Sequence, residues 1–202
     1  MAIMKMSRKN RRGYENFLRE KRMEIEKVKI EGLLILHPAV FEDKRGYFFE
    51  AFNAEKFKQA GLQTKYAQDN LSKSSKDVLR GLHFQNPPFA QGKLVSVIRG
   101  AVLDVAVDIR KGSPTYGEHV AVELTGENKK QLLVPRGFAH GFIVLSEKAI
   151  LSYKVDNPYS SEHDLGIRYD DIDLDINWQL PKKDIVLSVK DSNSPNLKSI
   201  NF

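Results

Sequence analysis

The run Ala101–Arg110, AVLDVAVDIR, alternates with period two. Leu103, Val105, Val107 and Ile109 fall on one side of it, and Val102, Asp104, Ala106 and Asp108 on the other. A helical turn would scatter these positions, whereas a strand sorts them onto two faces. Shorter runs of the same kind surround it: KLVSVIR from Lys93, HVAVEL from His119, KQLLVP from Lys130, FIVL from Phe142 and ILSYKV from Ile150. Between them stand Arg99-Gly100, Gly112-Ser113-Pro114, Thr125-Gly126-Glu127-Asn128 and Ser146-Glu147, all turn-forming. Many short strands at this spacing predict a mainly β protein, a sandwich or barrel with few short helices. One helix is expected at Asn53–Ala60, with Asn53 capping its start and Gly61 ending it in the left-handed conformation. From Asp156 on, Asp, Asn, Ser and Pro predict turns, short helices and a few strands rather than a second domain.

The 202 residues suit one β domain. Their net charge of +6 suggests a nucleic-acid binder until it is located. Residues 1–22 hold eight Lys and Arg against two Glu, which is the whole excess; the remaining 180 residues carry 24 charges of each sign. The division expected is therefore a basic extension, 1–22, and a charge-balanced domain, 23–202, with Met23 a candidate start. An amphipathic helix is expected from Tyr14 to about Lys27. A basic tail can touch nucleic acid or anionic lipid, but the balanced domain argues against nucleic acid as the main partner. The absence of cysteine rules out disulfides, thiolate metal sites and a cysteine nucleophile. With no apolar run of membrane-spanning length and no apolar segment behind the N-terminal basic residues, the chain reads as soluble and cytoplasmic.

The stretch VLRGLHFQ, 78–85, starts as a buried strand yet carries Arg80, Gly81 and His83. Such violations of core rules mark functional or strained sites. Lys93 follows ten residues later across Pro87-Pro88, an arrangement that suits two adjacent strands bringing cations toward one histidine. Arg, Lys and His gathered in a barrel call for an anion, and Arg is suited to phosphate. In an ideal strand Arg80 and His83 point to opposite faces; a bulge at Gly81 would re-aim one of them. No metal is expected. There is no His-x-His, and the histidine nearest to His83 is 36 residues away. His140, between two Gly-Phe pairs, has room for close backbone approach. Tyr153 shares a face with Leu151 and Val155; periodicity alone makes it a core tyrosine, and Asp191 carries no signal by itself.

Together the motifs resemble the dTDP-4-dehydrorhamnose 3,5-epimerase family, metal-independent enzymes of cupin type. The matching text comprises EDKRGYFFEAFN at 42–53, QDNLSKS at 68–74, VLRGLHFQNPP at 78–88, AQGKLVSVIRG at 90–100, DVAVDIRKGSPTYG at 104–117, VPRGFAHGF at 134–142, SYK at 152–154 and LSVKD at 187–191. The resemblance implies a cupin jelly roll and an isomerase acting on a dTDP-4-keto-6-deoxy sugar without a cofactor. It implies that His83 is the general base, Asp191 the carboxylate paired with it, Tyr153 the acid on the opposite face of the ring, and Lys93 the cation near the C4 oxygen. His140 would lie close to the same part of the pocket. Arg80, Gln68 and Asn70 would touch sugar and diphosphate; Arg45, Phe48, Glu50 and Lys190 match nucleotide-binding positions. It also implies a homodimer with exchanged N-terminal strands, so that some of these residues serve the partner's site.

The residue types suit that chemistry. The hydrogens at C3 and C5 of a 4-keto sugar are acidic, and removing one puts negative charge on the C4 oxygen, where a lysine stabilises it. No hydride moves, so no redox cofactor is required. Three other readings remain: a cupin enzyme that is a 3-epimerase, a 5-epimerase or a 3,4-ketoisomerase; a non-catalytic sugar-nucleotide-binding barrel, which the presence of both His83 and Asp191 opposes; and a nucleic-acid binder using the tail.

Overall fold

The computed structural model describes residues 22–200. Its strands are β1 (Glu24–Lys27), β2 (Leu34–His37), β3 (Phe41–Asp43), β4 (Gly46–Phe48), β5 (Gln68–Ser75), β6 (Leu79–Gln85), β7 (Lys93–Arg99), β8 (Ala101–Asp108), β9 (His119–Thr125), β10 (Gln131–Val134), β11 (Phe138–Val144), β12 (Lys148–Val155) and β13 (Asp164–Gly166). One antiparallel sheet has the order β1-β2-β10-β7-β12-β5, the other β13-β6-β11-β8-β9, and β3-β4 is a separate hairpin. From β5 onward the chain changes sheet at every step except β8 to β9. This is jelly-roll wiring, the fold of the cupin type. It corrects one expectation: β6 and β7 are not neighbours, because the Pro87-Pro88 loop carries the chain from one sheet to the other. His83 and Lys93 thus approach each other across the interior.

Alternation places the side chains, and both faces of the sheets are covered. Between the sheets lie Val102 and Ala106 of β8, Phe138 and Phe142 of β11, Val95 and Val97 of β7, and Leu151 of β12. The opposite side of β8, with Leu103, Val105, Val107 and Ile109, packs against Ile167, Leu174, Trp178 and Leu197 of the C-terminal segment. That segment is therefore a third layer of the same domain. On the other flank, Phe57 covers Leu36, Leu94 and Leu133. Phe57 belongs to helix α1 (Ala54–Gln59), whose first amides, from Glu55 and Lys56, donate to Asn53 Oδ1; Gly61 beyond its end has φ +72°. Of the helix expected over Tyr14–Lys27, the last four residues instead form β1, paired with β2; the part before residue 22 lies outside the described residues.

The bend in β6 sits at Gly81. Arg80 pairs with Phe142 and His83 with His140, so Gly81 and Leu82 together oppose the single Gly141. This bulge brings Leu79 and Leu82 onto the outer face, where both join the C-terminal core, and turns the half-buried His83 and the exposed Arg80 to the face toward the other sheet. Gly81 has φ +134°, and a Cβ there would lie 2.5 Å from Gly141 Cα. Backbone cannot yield as a flexible side chain can. Gly81→Ala is expected to destabilise the protein by about 2 kcal/mol or more, on the scale of such backbone violations, and to misdirect His83. Urea denaturation with turnover assays checks this; an unchanged midpoint and unchanged turnover would contradict it.

Candidate active site

His83, on the inner face of β6, has one ring nitrogen, Nε2, 2.5 Å from Asp191 Oδ1. Asp191 comes from helix α2 (Val189–Ser192), capped by Ser188, whose Oγ accepts the Asp191 amide at 3.1 Å. The approach depends on Gly166, which pairs with His83 across β13 and β6. A Cβ on Gly166 would lie 2.5 Å from Ser194 Oγ, so the missing side chain lets the turn after α2 settle against the sheet. Burial acts to raise the Asp191 pKa, but the His83 hydrogen bond and charge, Ser188 and Lys190 outweigh it and hold it below the usual carboxylate range. The carboxylate is thus ionised beside the imidazole, and the second ring nitrogen of His83 is left for the cavity.

That cavity, about 370 Å³, is lined by Gln68, Asn70, His83, Lys93, Tyr153, Tyr159, Asp164 and nearby Phe84, Gln85 and Gln91. Lys93 is buried, and its ammonium donates to the His83 carbonyl oxygen at 3.3 Å. Burial lowers its pKa to about 8, opposed by the charges of Asp104 and Asp164. Tyr153 stands on β12, in the sheet opposite His83, paired with Asn70 of β5. Burial raises the pKa of its hydroxyl; nearby Arg80 lowers it and Asp164 raises it further. The hydroxyl is therefore protonated at neutral pH. The tyrosine that periodicity alone left in the core faces an open cavity.

Other expected residues stand further off. His140, next to His83 on β11, is buried and bonded through Nε2 to Asp104 Oδ1 at 2.8 Å. Arg80 reaches across from β6 to Ser74 of β5, its Nε 2.9 Å from Ser74 Oγ. Lys190 Nζ is 2.5 Å from Asp164 Oδ2, which also accepts the Tyr159 hydroxyl at 3.1 Å. Three residues are not brought to the cavity of their own chain. Arg45 bonds to Asp43 at the tip of the β3-β4 hairpin, Phe48 is largely exposed on β4, and Glu50 is tied to Asn53 and Lys56. Asp104, Asp164 and Tyr159 were missed by sequence reasoning. Only Asp104 left a signal, a charge on the Val102/Ala106 side of an apolar strand.

A jelly roll that sets a His–Asp pair against a tyrosine across one cavity, with a buried lysine beside them, has the architecture of the cupin class and groups suited to acid–base chemistry. The model of the family dTDP-4-dehydrorhamnose 3,5-epimerase matches residues 27–199, and the chain belongs to that family of isomerases. A Shigella flexneri protein named dTDP-4-dehydrorhamnose 3,5-epimerase is 51% identical over 172 residues, 85% of this chain and 94% of its own length. The crystal structure of a Legionella pneumophila dTDP-6-deoxy-D-glucose-3,5-epimerase in complex with dTDP-4-keto-L-rhamnose matches with TM-score 0.86 at 46% identity, covering 89% of this chain and 95% of that one. A 3'-monoepimerase from Streptomyces bikiniensis, in complex with dTDP-quinovose, matches at TM-score 0.80 and 34% identity, covering 86% and 88%.

Replacing Asp191 by Asn keeps the shape but leaves His83 without the charge that orients it. Turnover is expected to fall about 100-fold or more, the upper range for losing an orienting carboxylate, with the fold intact by near-ultraviolet circular dichroism. Turnover within a few-fold of the parent would show that the contact is structural only.

Proposed function

We propose that this protein inverts C3 and C5 of dTDP-4-dehydro-6-deoxy-D-glucose, producing dTDP-4-dehydro-L-rhamnose for dTDP-L-rhamnose synthesis. The observation that carries this reading is that His83 and Tyr153 enter one cavity from opposite sheets. His83 takes the proton from the carbon next to the ketone. The released electron pair moves into the ring–C4 bond, and the carbonyl electrons move onto the C4 oxygen. Lys93, itself buried, answers that charge from the wall of the cavity. Tyr153 then delivers a proton to the other face of the same carbon as the C4 carbonyl re-forms; the tyrosinate takes a proton from solvent and His83 gives its own up to solvent. Acid–base groups so placed contribute about 10²–10⁴-fold.

Gln68 and Asn70, which line the cavity, and Arg80 contact the sugar and diphosphate in this reading, and Lys190 the nucleotide. Arg45, Phe48 and Glu50 complete the nucleotide site of a second copy in a homodimer with exchanged N-terminal strands. Their distance from their own cavity and the exposure of Tyr47 and Phe48 support this. The chain works in the cytoplasm; no helix among the described residues is long and apolar enough to cross a membrane.

A second reading is inversion at C3 alone. The Streptomyces bikiniensis monoepimerase has a histidine and a tyrosine that were replaced together in a crystallised double mutant. A histidine and a tyrosine are thus present in an enzyme that inverts one centre. The higher identity to 3,5-epimerases favours both inversions. Proton NMR of dTDP-4-keto-6-deoxyglucose with the enzyme in heavy water is expected to show loss of the C3 and C5 signals, and with His83→Ala loss of neither. Loss at C3 only would establish the monoepimerase; continued exchange with His83→Ala would remove the base.

The extension 1–22 is outside the family match and holds the entire charge excess. Its deletion is expected to leave fold, turnover and the oligomeric state read by gel filtration close to unchanged. A truncated protein that loses activity or changes assembly would make the extension part of the enzyme.

A further inference from the structure

Asp104 sits in the middle of β8, on the inner face, with none of its surface exposed. Its Oδ1 accepts from His140 Nε2 at 2.8 Å, while its Oδ2 is buried with no hydrogen-bond partner. A carboxylate is costly to bury with one oxygen unsatisfied unless an opposite charge answers it. Lys93, a buried cation on the opposite sheet, donates to the carbonyl of His83, the residue paired with His140, and its charge and that of Asp104 favour each other. Several elements around that ammonium present a charged or titratable group, and on β6 Arg80 is held by Ser74. His83 on β6 is bound to Asp191 of α2. Asp164 on β13 is bound by Tyr159 and Lys190. Tyr153 on β12 is a protonated phenol, and His140 on β11 already serves Asp104. Among these carboxylates, Asp104 is the one with an uncommitted buried oxygen.

We infer that Asp104 is a positioning residue with two tasks: one oxygen orients His140, and the charge on the other keeps the Lys93 ammonium protonated inside the cavity. This rests on Lys93 acting as a cation at the C4 oxygen. The sign is determined by charge. Burial favours neutral lysine and Asp104 opposes it, so removing the carboxylate lowers the pH at which Lys93 loses its proton. Activity should then fail earlier as pH rises.

The test compares the parent enzyme with Asp104→Asn, nearly the same shape without charge, and Asp104→Glu, which keeps the charge. Turnover is measured against pH, and the Lys93 side-chain carbon signal is titrated by NMR in lysine-labelled protein, assigned by its loss in Lys93→Met. In Asp104→Asn the basic limb should move down by about one pH unit or more. The loss at about pH 8 should then be about fourfold or more greater than at about pH 6.5, with the Lys93 titration moving alike; Asp104→Glu should restore much of both. A uniform loss at all pH values with an unmoved Lys93 titration would overturn the inference and leave Asp104 a structural partner of His140. Should Asp104→Asn fail to fold, the parent still decides: a Lys93 that titrates below about pH 7 has no effective counter-charge. If Lys93→Met instead turns over normally, the role of Lys93 in the reaction fails, while the NMR titration still reads the pairing by itself.

Discussion

Two residues of β6 oppose one residue of β11, and that mismatch decides what the interior of the protein contains. Without it Arg80 and His83 would face opposite ways and one of them would enter the apolar layer under the C-terminal segment. With it, Leu79 and Leu82 fill that layer, while both polar residues turn inward. The contact between Gly81 and Gly141 leaves no room for a side chain at either position. The same strand then accepts β13 on its free edge, which brings the C-terminal turn and Asp191 to His83. A local backbone irregularity thus recruits a residue 108 positions away.

Charge is the second organising constraint. Several ionisable groups are pulled toward one cavity in a low-dielectric interior, where an unpaired ion is expensive. The fold answers with pairs that cross between elements: His83 with Asp191, His140 with Asp104, Asp164 with Lys190. Lys93 has no such partner and is held by a carbonyl oxygen and by charges at a distance. A cation left without a close carboxylate remains available to an oxygen that becomes negative during reaction, which is what an enolate-forming site requires. The sheets supply the other requirement. Groups on facing walls reach opposite faces of a bound ring, a geometry that one wall alone cannot offer.

Much of this was legible from residue order. Period-two runs located β7 to β12, and Asn53 and Gly61 bounded α1. Gly81 announced the bulge, because a glycine that interrupts a strand beside two polar residues marks a bend. The sheet to which each strand belongs was not legible: Pro87-Pro88 reads equally well as a hairpin turn or a crossover, and here it is the crossover that sets Lys93 opposite His83. Asp191 carries no local signal because its meaning depends on where a loop-rich tail docks. Tyr153 looked like core because alternation reports the inner face without reporting whether that face is filled or hollow. Asp104 showed as an odd charge in AVLDVAVDIR, but its partner, His140, lies far along the chain on β11.

His83 and Tyr153 stand on opposite walls, so in the proposed mechanism removing a proton and returning one are separable acts. Tyr153→Phe separates them, since it removes one hydroxyl and keeps the ring. Proton NMR in heavy water follows isotope exchange and product configuration together. Exchange should persist at C3 at least, while the doubly inverted product nearly vanishes. A folded Tyr153→Phe protein that still completes both inversions at the parent rate would contradict the assignment of the acid to that wall.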